Sequence, residues 1–209
     1  MPAELETTFT PSFLSSLLPF TMRIITGLYK GKHFEIPRTF KARPTTDFAK
    51  ENLFNVLRAY LDFEDLKALD LFGGTGSITL ELLSRGCGHV TTVEKDRKHF
   101  SFILECIKSL KTPAAHPLCG DALRFIERSK EPFDFIFADP PYALPELGEL
   151  PERVMNSGLV TEGTLFVLEH GKNFDFSDRP DFLEHRAYGS VNFSFFRKRK
   201  VTEGEDTQE

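Results

Sequence analysis

Asp139-Pro140-Pro141-Tyr142 closes the apolar run FDFIFAD. Those residue types suit one demanding reaction, bond formation at the exocyclic amino nitrogen of a nucleic-acid base. Such a nitrogen is a poor nucleophile because its lone pair is delocalised into the ring. If Asp139 and the Pro140 carbonyl each accept one of its N–H groups, the nitrogen is drawn towards tetrahedral geometry and its lone pair turns to a methyl donor. Two consecutive prolines have fixed φ and no N–H, so they hold the carbonyls and the flanking acid rigidly. Positioning and preorganised acceptors then supply much of the acceleration. Tyr142 is suited to stacking on the base plane, worth roughly 1–3 kcal/mol. Taken alone, the tetrapeptide is also an ordinary turn with a strand-end acid, so its meaning rests on three signals upstream.

The first is Asp70-Leu-Phe-Gly73-Gly74-Thr75-Gly76, at the end of an apolar strand and opening a helix. Glycines there let backbone approach a ligand, and a helix N-terminus favours an anionic group such as a carboxylate. The dinucleotide-binding fingerprint needs a further small residue three positions after Gly76, where Thr79 stands, and this strand carries its own Asp70. The second is Glu94, which ends the run HVTTVE eighteen residues beyond Gly76. A carboxylate so placed can accept from both ribose hydroxyls of a nucleoside, and it fits a nicotinamide cofactor equally well. The third is Asp121 after Gly120, placed to accept from an adenine amino group or to cap the helix that follows.

Elements that position these residues are legible in the hydrophobic period. Strand-like runs LKALDLF, HVTTVE, AHPLC, FDFIFAD and TLFVLEH alternate with amphipathic stretches at 75–84, 97–110, 122–129 and 145–156. That alternation implies a parallel sheet covered by helices on both faces. The last runs, LEHRAYG and VNFSFFR, meet at Gly189-Ser190 and predict an antiparallel terminal hairpin. Upstream, Thr45 or Thr46 is the expected cap of a helix whose apolar face is Phe48, Leu53, Phe54, Leu57, Tyr60 and Leu61. Before it, β-rich runs around Gly27 and Gly31 predict a small hairpin over 23–36.

The 209 residues suffice for one α/β domain with a small appendage, and 40% hydrophobic with 27% charged residues is globular composition. Three cysteines without a C-x-x-C pair fit reduced thiols in a cytoplasmic protein, and neither a disulfide set nor a metal site is expected. No run reaches the roughly 18 apolar residues of a membrane helix. Glu4 and Glu6 stand where a secretory leader carries basic residues. The net charge of −5 conceals an asymmetry: residues 22–50 carry +5, leaving −10 for the rest. A basic face beside an acidic body suits a polyanion, and a solvated basic loop is the plain alternative. Lys30, Lys32 and Arg43 are the candidate RNA contacts, with Arg43, just before Pro44, also a candidate for the active site. The expected organisation is an extension over 1–21, a basic docking hairpin over 22–44, a catalytic domain over 45–200 and a disordered tail over 201–209.

These four motifs, in this order, resemble class I methyltransferases. The stretches MRIITGLYKGKHFEIP, RPTTDFAKENLFNVL, LDLFGGTGSITLELLSRG, VEKD and DPPY are similar to bacterial 16S rRNA (guanine966-N2)-methyltransferases of the D-type small-subunit family. The RPTTD…LFN stretch is the most specific, because DPPY is shared with adenine-N6 DNA methyltransferases. The resemblance implies a Rossmann-like seven-stranded sheet, S-adenosylmethionine as donor, and a guanine N2 of 16S rRNA, free or in a small-subunit particle, as acceptor. On that basis Asp70, Gly73, Gly74, Gly76, Glu94 and Asp121 are expected to hold the cofactor, with Asp139, Pro140 and Tyr142 serving the chemistry. A monomer is expected. The chain departs from the family at Gly73 and Thr75, where a small residue and a serine are usual, at Lys50 in place of an arginine, and at Ser109 in place of an asparagine. A DNA adenine-N6 methyltransferase is the nearest alternative, although the chain is short for a separate target-recognition domain. A non-catalytic nucleotide-binding assembly factor is the second, and it has no need of an amine-activating acid.

Overall fold

The computed structural model describes residues 20–40 and 46–198. Arg43, the extension before Phe20 and the tail over 201–209 lie outside the described residues. Two short strands, β1 (Thr21–Arg23) and β2 (His33–Glu35), form an antiparallel pair with Met22 opposite Phe34, as the β-rich runs lead one to expect. Helix α1 (Asp47–Leu57) follows, capped by the Thr46 side chain, which accepts from the Ala49 N–H at 3.2 Å.

Two expectations about α1 fail, the first because the helix ends at Leu57, short of Tyr60 and Leu61. Phe48 is 66% exposed, whereas Ala49, Lys50, Leu53, Phe54 and Leu57 are buried. Positions 50, 53, 54 and 57 keep the helical i, i+3, i+4, i+7 spacing, and Phe48 lies about 200° round the helix from Lys50. A lysine therefore fills the place that an apolar count gives to phenylalanine.

The main domain alternates as expected: β3 (Lys67–Leu71), α2 (Ser77–Ser84), β4 (His89–Glu94), α3 (Arg97–Leu110), β5 (Ala115–Cys119), α4 (Ala122–Arg128) and β6 (Phe135–Ala138). The helix expected over 145–156 divides into a 3₁₀ turn, Pro145–Glu149, and a short α5 (Leu150–Met155). Pro151 explains the division, because a proline lacks the N–H of a helix interior and crowds the preceding turn. Strands β7 (Leu165–His170), β8 (Phe182–Tyr188) and β9 (Val191–Arg197) complete a seven-stranded sheet of order β5-β4-β3-β6-β7-β9-β8, in which β9 runs antiparallel to both neighbours. Alternate residues of one strand feed the two faces. Phe135 and Phe137 join the core beneath α1, α2 and α3, while Ile136 and Ala138 join the core beneath α4 and α5. Among the described residues, no helix is long and apolar enough to cross a membrane.

The N-terminal hairpin is fastened to α2 by polar groups. Glu81, fully buried, accepts from Ile25 N at 2.9 Å and Thr26 N at 3.0 Å, and pairs with Arg85 at 3.0 Å. Lys50 Nζ donates to the Arg23 carbonyl at 2.7 Å and to Ser77 Oγ at 3.1 Å, and lies 4.0 Å from Glu81. Burial lowers the Lys50 pKa, against the pull of Glu81. Gly27, at φ +91°, meets α2 so closely that a Cβ would stand 1.8 Å from the Ser84 carbonyl oxygen. Lys50 is thus committed inside the protein and Arg23, at the surface, is paired with Asp47 at 2.6 Å, so the basic segment offers less free charge than its +5 suggests.

Candidate active site

β3 lies between β4 and β6, so the chain leaves it in opposite directions and its carboxyl end is the switch point where open α/β sheets bind ligands. A cleft of about 1310 Å³ opens there. Its floor is the glycine loop. Phe72 takes φ +62°, unusual for a residue with a side chain and costing about 1–3 kcal/mol, and turns the chain abruptly off β3. Gly73 and Gly74 line the cleft. Gly76, at φ +76°, is the N-cap of α2 and stands behind the lining, where a Cβ would press within 3.1 Å of Ile103.

Asp70, 2% exposed, borders the cleft and accepts from both the backbone N–H of Thr79 (3.1 Å) and its hydroxyl (2.5 Å). Thr79 occupies the position where a nicotinamide-type loop needs a small residue, and its hydroxyl also lies 2.6 Å from that of Thr92. The departure from the fingerprint therefore has a purpose: it ties α2 to β3 and β4. Burial pushes the Asp70 pKa up to about 7, with the two Thr79 hydrogen bonds opposing.

Glu94, 8% exposed at the end of β4, accepts from Gly74 N at 2.7 Å and from Asp96 N at 2.6 Å. Each carboxylate oxygen retains a lone pair for a ribose hydroxyl. Asp121 caps α4 by accepting from Arg124 N at 3.2 Å and also holds Lys95 Nζ at 2.9 Å. That lysine contact, ahead of its other partners, keeps Asp121 below the usual carboxylate range. Both acids face the cleft, so the cap and the ligand-facing position coincide in one residue.

Asp139, Pro140 and Tyr142 form the opposite wall. The Pro141 carbonyl accepts from Leu144 N at 2.8 Å and closes the turn. Burial, then Glu169, then Asp70 raise the Asp139 pKa well above the carboxylate range. Tyr142 is 49% exposed, and its hydroxyl donates to Glu169 Oε1 at 3.4 Å. Burial and the same glutamate raise its pKa, keeping it a donor. Glu169, 4% exposed at the end of β7, is a cleft residue that the motifs did not single out. Its signal was a charge inside the apolar run TLFVLEH, at the carboxyl end of a strand. Thr46, Ser190 and Val191 also reach the cleft. Lys30 and Lys32 are not among its lining residues. Lys30 is exposed on the hairpin, and Lys32 donates to the Ser109 carbonyl at 2.8 Å.

Strand order, glycine loop and strand-end acids together are those of a class I methyltransferase. The solved structure of yhhF from Escherichia coli superposes with a TM-score of 0.74 at 26% identity, covering 85% of this chain and 98% of that one. TTHA0928 from Thermus thermophilus gives 0.74 at 29%, covering 85% and 99%. The chain belongs to the family described as conserved hypothetical protein 95, which it matches over residues 22–197. Its relatives include ribosomal RNA small subunit methyltransferase D of Escherichia coli, 31% identical over 148 residues, 71% of this chain and 74% of that one. YlbH of Bacillus subtilis is 31% identical over 185 residues, 85% of this chain and the whole of the other.

Proposed function

We propose that this protein transfers a methyl group from S-adenosylmethionine to the exocyclic N2 of a guanine in 16S rRNA. The observation that carries the reading is the facing of two walls across one cleft: the glycine loop with Glu94 on one side, the rigid Asp139-Pro140-Pro141-Tyr142 turn on the other. The residues present fit this cofactor, since Gly73 leaves no room for a Cβ beside Thr92 and Glu94 is a buried carboxylate turned to the cleft. Kinship with the small-subunit methyltransferases supports ribosomal RNA as the substrate class.

S-adenosylmethionine supplies an electrophilic methyl group. Gly73, Gly74, Glu94 and Asp121 bind and orient it, Asp70 borders the cleft and holds the loop through Thr79, and Gly76 sets the loop's shape from behind. Asp139 and the Pro140 carbonyl accept the two amine N–H groups, and Tyr142 stacks on the base. As the N–C bond forms and the methyl–sulfur bond breaks, with its electron pair left on the sulfur, the nitrogen becomes acidic, and Asp139, with its raised proton affinity, takes the proton. Residues 22–44 form the RNA-docking segment, with Lys30, Lys32 and Arg43 meeting phosphates, and 45–200 form the catalytic domain of a cytoplasmic monomer.

The test is incorporation of labelled methyl into small-subunit particles and protein-free 16S rRNA, followed by nucleoside analysis. N2-methylguanosine is expected, and Asp139→Ala should lower turnover roughly a hundredfold or more. Label recovered as N6-methyladenosine, or none transferred to either RNA substrate, overturns the reading.

A further inference from the structure

Phe48 stands in the first turn of α1, two residues after the capping Thr46, and is 66% exposed. Its ring meets that of Tyr188 at 6.1 Å between centroids and 83° between planes. Tyr188 leans in turn on Phe193, which is fully buried. An edge-to-face contact is a favoured aromatic geometry, so Phe48 is set on the core through Tyr188 while most of its surface stays uncovered. The place is the mouth of the cleft. Thr46, just before Phe48, lines it, as do Ser190 and Val191, which follow Tyr188 around the β8–β9 turn. Single exposed apolar side chains are ordinary at protein surfaces, but this ring is one of an anchored pair beside the site of reaction. The charge next to it selects the kind of ligand. Arg23, the cation that reaches this turn of α1, is already matched by Asp47 at 2.6 Å. The patch therefore offers a flat apolar ring rather than free charge, which suits a nucleobase better than a phosphate.

We propose that Phe48, held by Tyr188, is a second base platform, which stacks on a nucleotide adjacent to the target guanine once that guanine has entered the cleft against Tyr142. A base drawn into an enzyme pocket leaves its stack, and the neighbour it leaves exposes a ring face to water. Phe48 covers that face at the mouth while Tyr142 serves the target inside, so the two aromatic positions part the target from its neighbour. A phenyl ring carries no hydrogen-bonding group, so the platform accepts any base. Stacking neutralises no phosphate, and its share of the RNA affinity does not depend on salt through counterion release. This inference rests on an RNA base being the methyl acceptor.

The experiment measures filter binding of a protein-free 16S rRNA fragment containing the target guanine, across a salt series, for the parent, Phe48→Ala, Phe48→Leu and Phe48→Trp. The series is repeated with the nucleotide on the 5′ or the 3′ side of the target replaced by an abasic ribose. Affinity should fall roughly tenfold in Phe48→Ala and nearly as far in Phe48→Leu, which is apolar but not flat, and should be kept in Phe48→Trp. The salt slope should be the parent's in all three, and cofactor affinity by calorimetry should be unchanged. Removing one of the two neighbouring bases should cost the parent a similar factor and cost Phe48→Ala little more, since both changes remove one contact. Parent affinity in Phe48→Ala, or a loss that comes with a flattened salt slope, overturns the assignment. A loss seen on small-subunit particles but not on the protein-free fragment also overturns it, because the occupant is then a protein. The parent alone tests it too, whatever the variants' folding: no loss with either abasic fragment overturns it. A parent that binds no RNA removes the RNA reading and this inference with it, an outcome distinct from an RNA binder indifferent to Phe48.

Discussion

A Cβ on Gly73 would stand 2.6 Å from Thr92 Cγ2, a separation that real Cβ atoms essentially never show. The methyl of Thr92 thus occupies the space that a side chain at position 73 would need, and the two positions form one steric unit across β3 and β4. Gly73→Ala should displace the loop and weaken cofactor binding by roughly tenfold, an effect of the size expected for overpacking by one carbon. Gly73→Ala with Thr92→Ser should recover most of it, because serine drops the methyl and keeps the hydroxyl that meets Thr79 at 2.6 Å. Calorimetric titration of the single and double variants reads the coupling, and additive losses would show that the contact is relieved elsewhere.

Glu94 holds Gly74 N at 2.7 Å as well as facing the cleft. Glu94→Ala therefore removes the ribose acceptor and frees the loop backbone together. Cofactor affinity should fall at least tenfold, about 1.4 kcal/mol, since hydrogen bonds to charged groups contribute about 1.5–3 kcal/mol each. Unchanged affinity by calorimetry would remove Glu94 from the site.

Asp139 must be ionised to accept from an amine, and its pKa is raised by burial, Glu169 and Asp70, with Tyr142 the other titratable group on its wall. The protonated, inactive form therefore persists to a higher pH than for an ordinary carboxylate, and kcat/KM should rise with pH through that elevated pKa. Asp139→Asn should lower the rate and abolish this limb. A limb that survives in the asparagine variant belongs to another group.

Asp70 has a raised pKa as well, and its effect on stability runs in the opposite direction with pH. Its folded-state pKa is about 7 against an ordinary 3.8, so across that interval the folded protein retains a proton that the unfolded chain has lost. Stability contributed by this group therefore falls as pH rises from 3.8 to about 7. Asp70→Asn cannot ionise, and its Tm relative to the parent's should climb across the same range. A difference in Tm that stays flat with pH would mean that Asp70 ionises freely in the fold.

Fold and site were unequally legible. Strands and helices of the sheet were readable because their apolar periods are unbroken and each acid of interest sits at a strand end, as Asp70, Glu94 and Asp139 do. Phe48 and Lys50 misled because hydrophobicity ranks them one way and helical angle the other, and the partners that bury Lys50, Glu81 and Ser77, lie about thirty residues along the chain. Glu169 escaped for a related reason. No motif contains it, and its relation to Asp139 exists only through the pairing of β6 with β7. Gly76 carried a ligand-binding expectation from the glycine motif, and what decides its position is packing against Ile103 on α3.

The basic hairpin separates two lysines that look alike in sequence. Lys30 is exposed. Lys32 donates to the Ser109 carbonyl in the last turn of α3, where the helix dipole favours a cation, and its ammonium lies 5.8 Å from the Tyr29 ring centroid. A phosphate must displace that local partner to recruit Lys32, whereas Lys30 needs no rearrangement. Each phosphate neutralised contributes about 0.7–0.9 to the slope of log affinity against log salt. Lys30→Ala should therefore flatten the slope of RNA binding by about one such increment. Lys32→Ala should flatten it by less and also lower the Tm, through loss of the hairpin's anchor on α3. Cofactor affinity should stay unchanged in both. Filter binding across a salt series, with the Arg43→Ala variant beside them, gives the slopes, and a Lys30→Ala protein with the parent's affinity and slope would make the hairpin a cover for α2 rather than a docking surface.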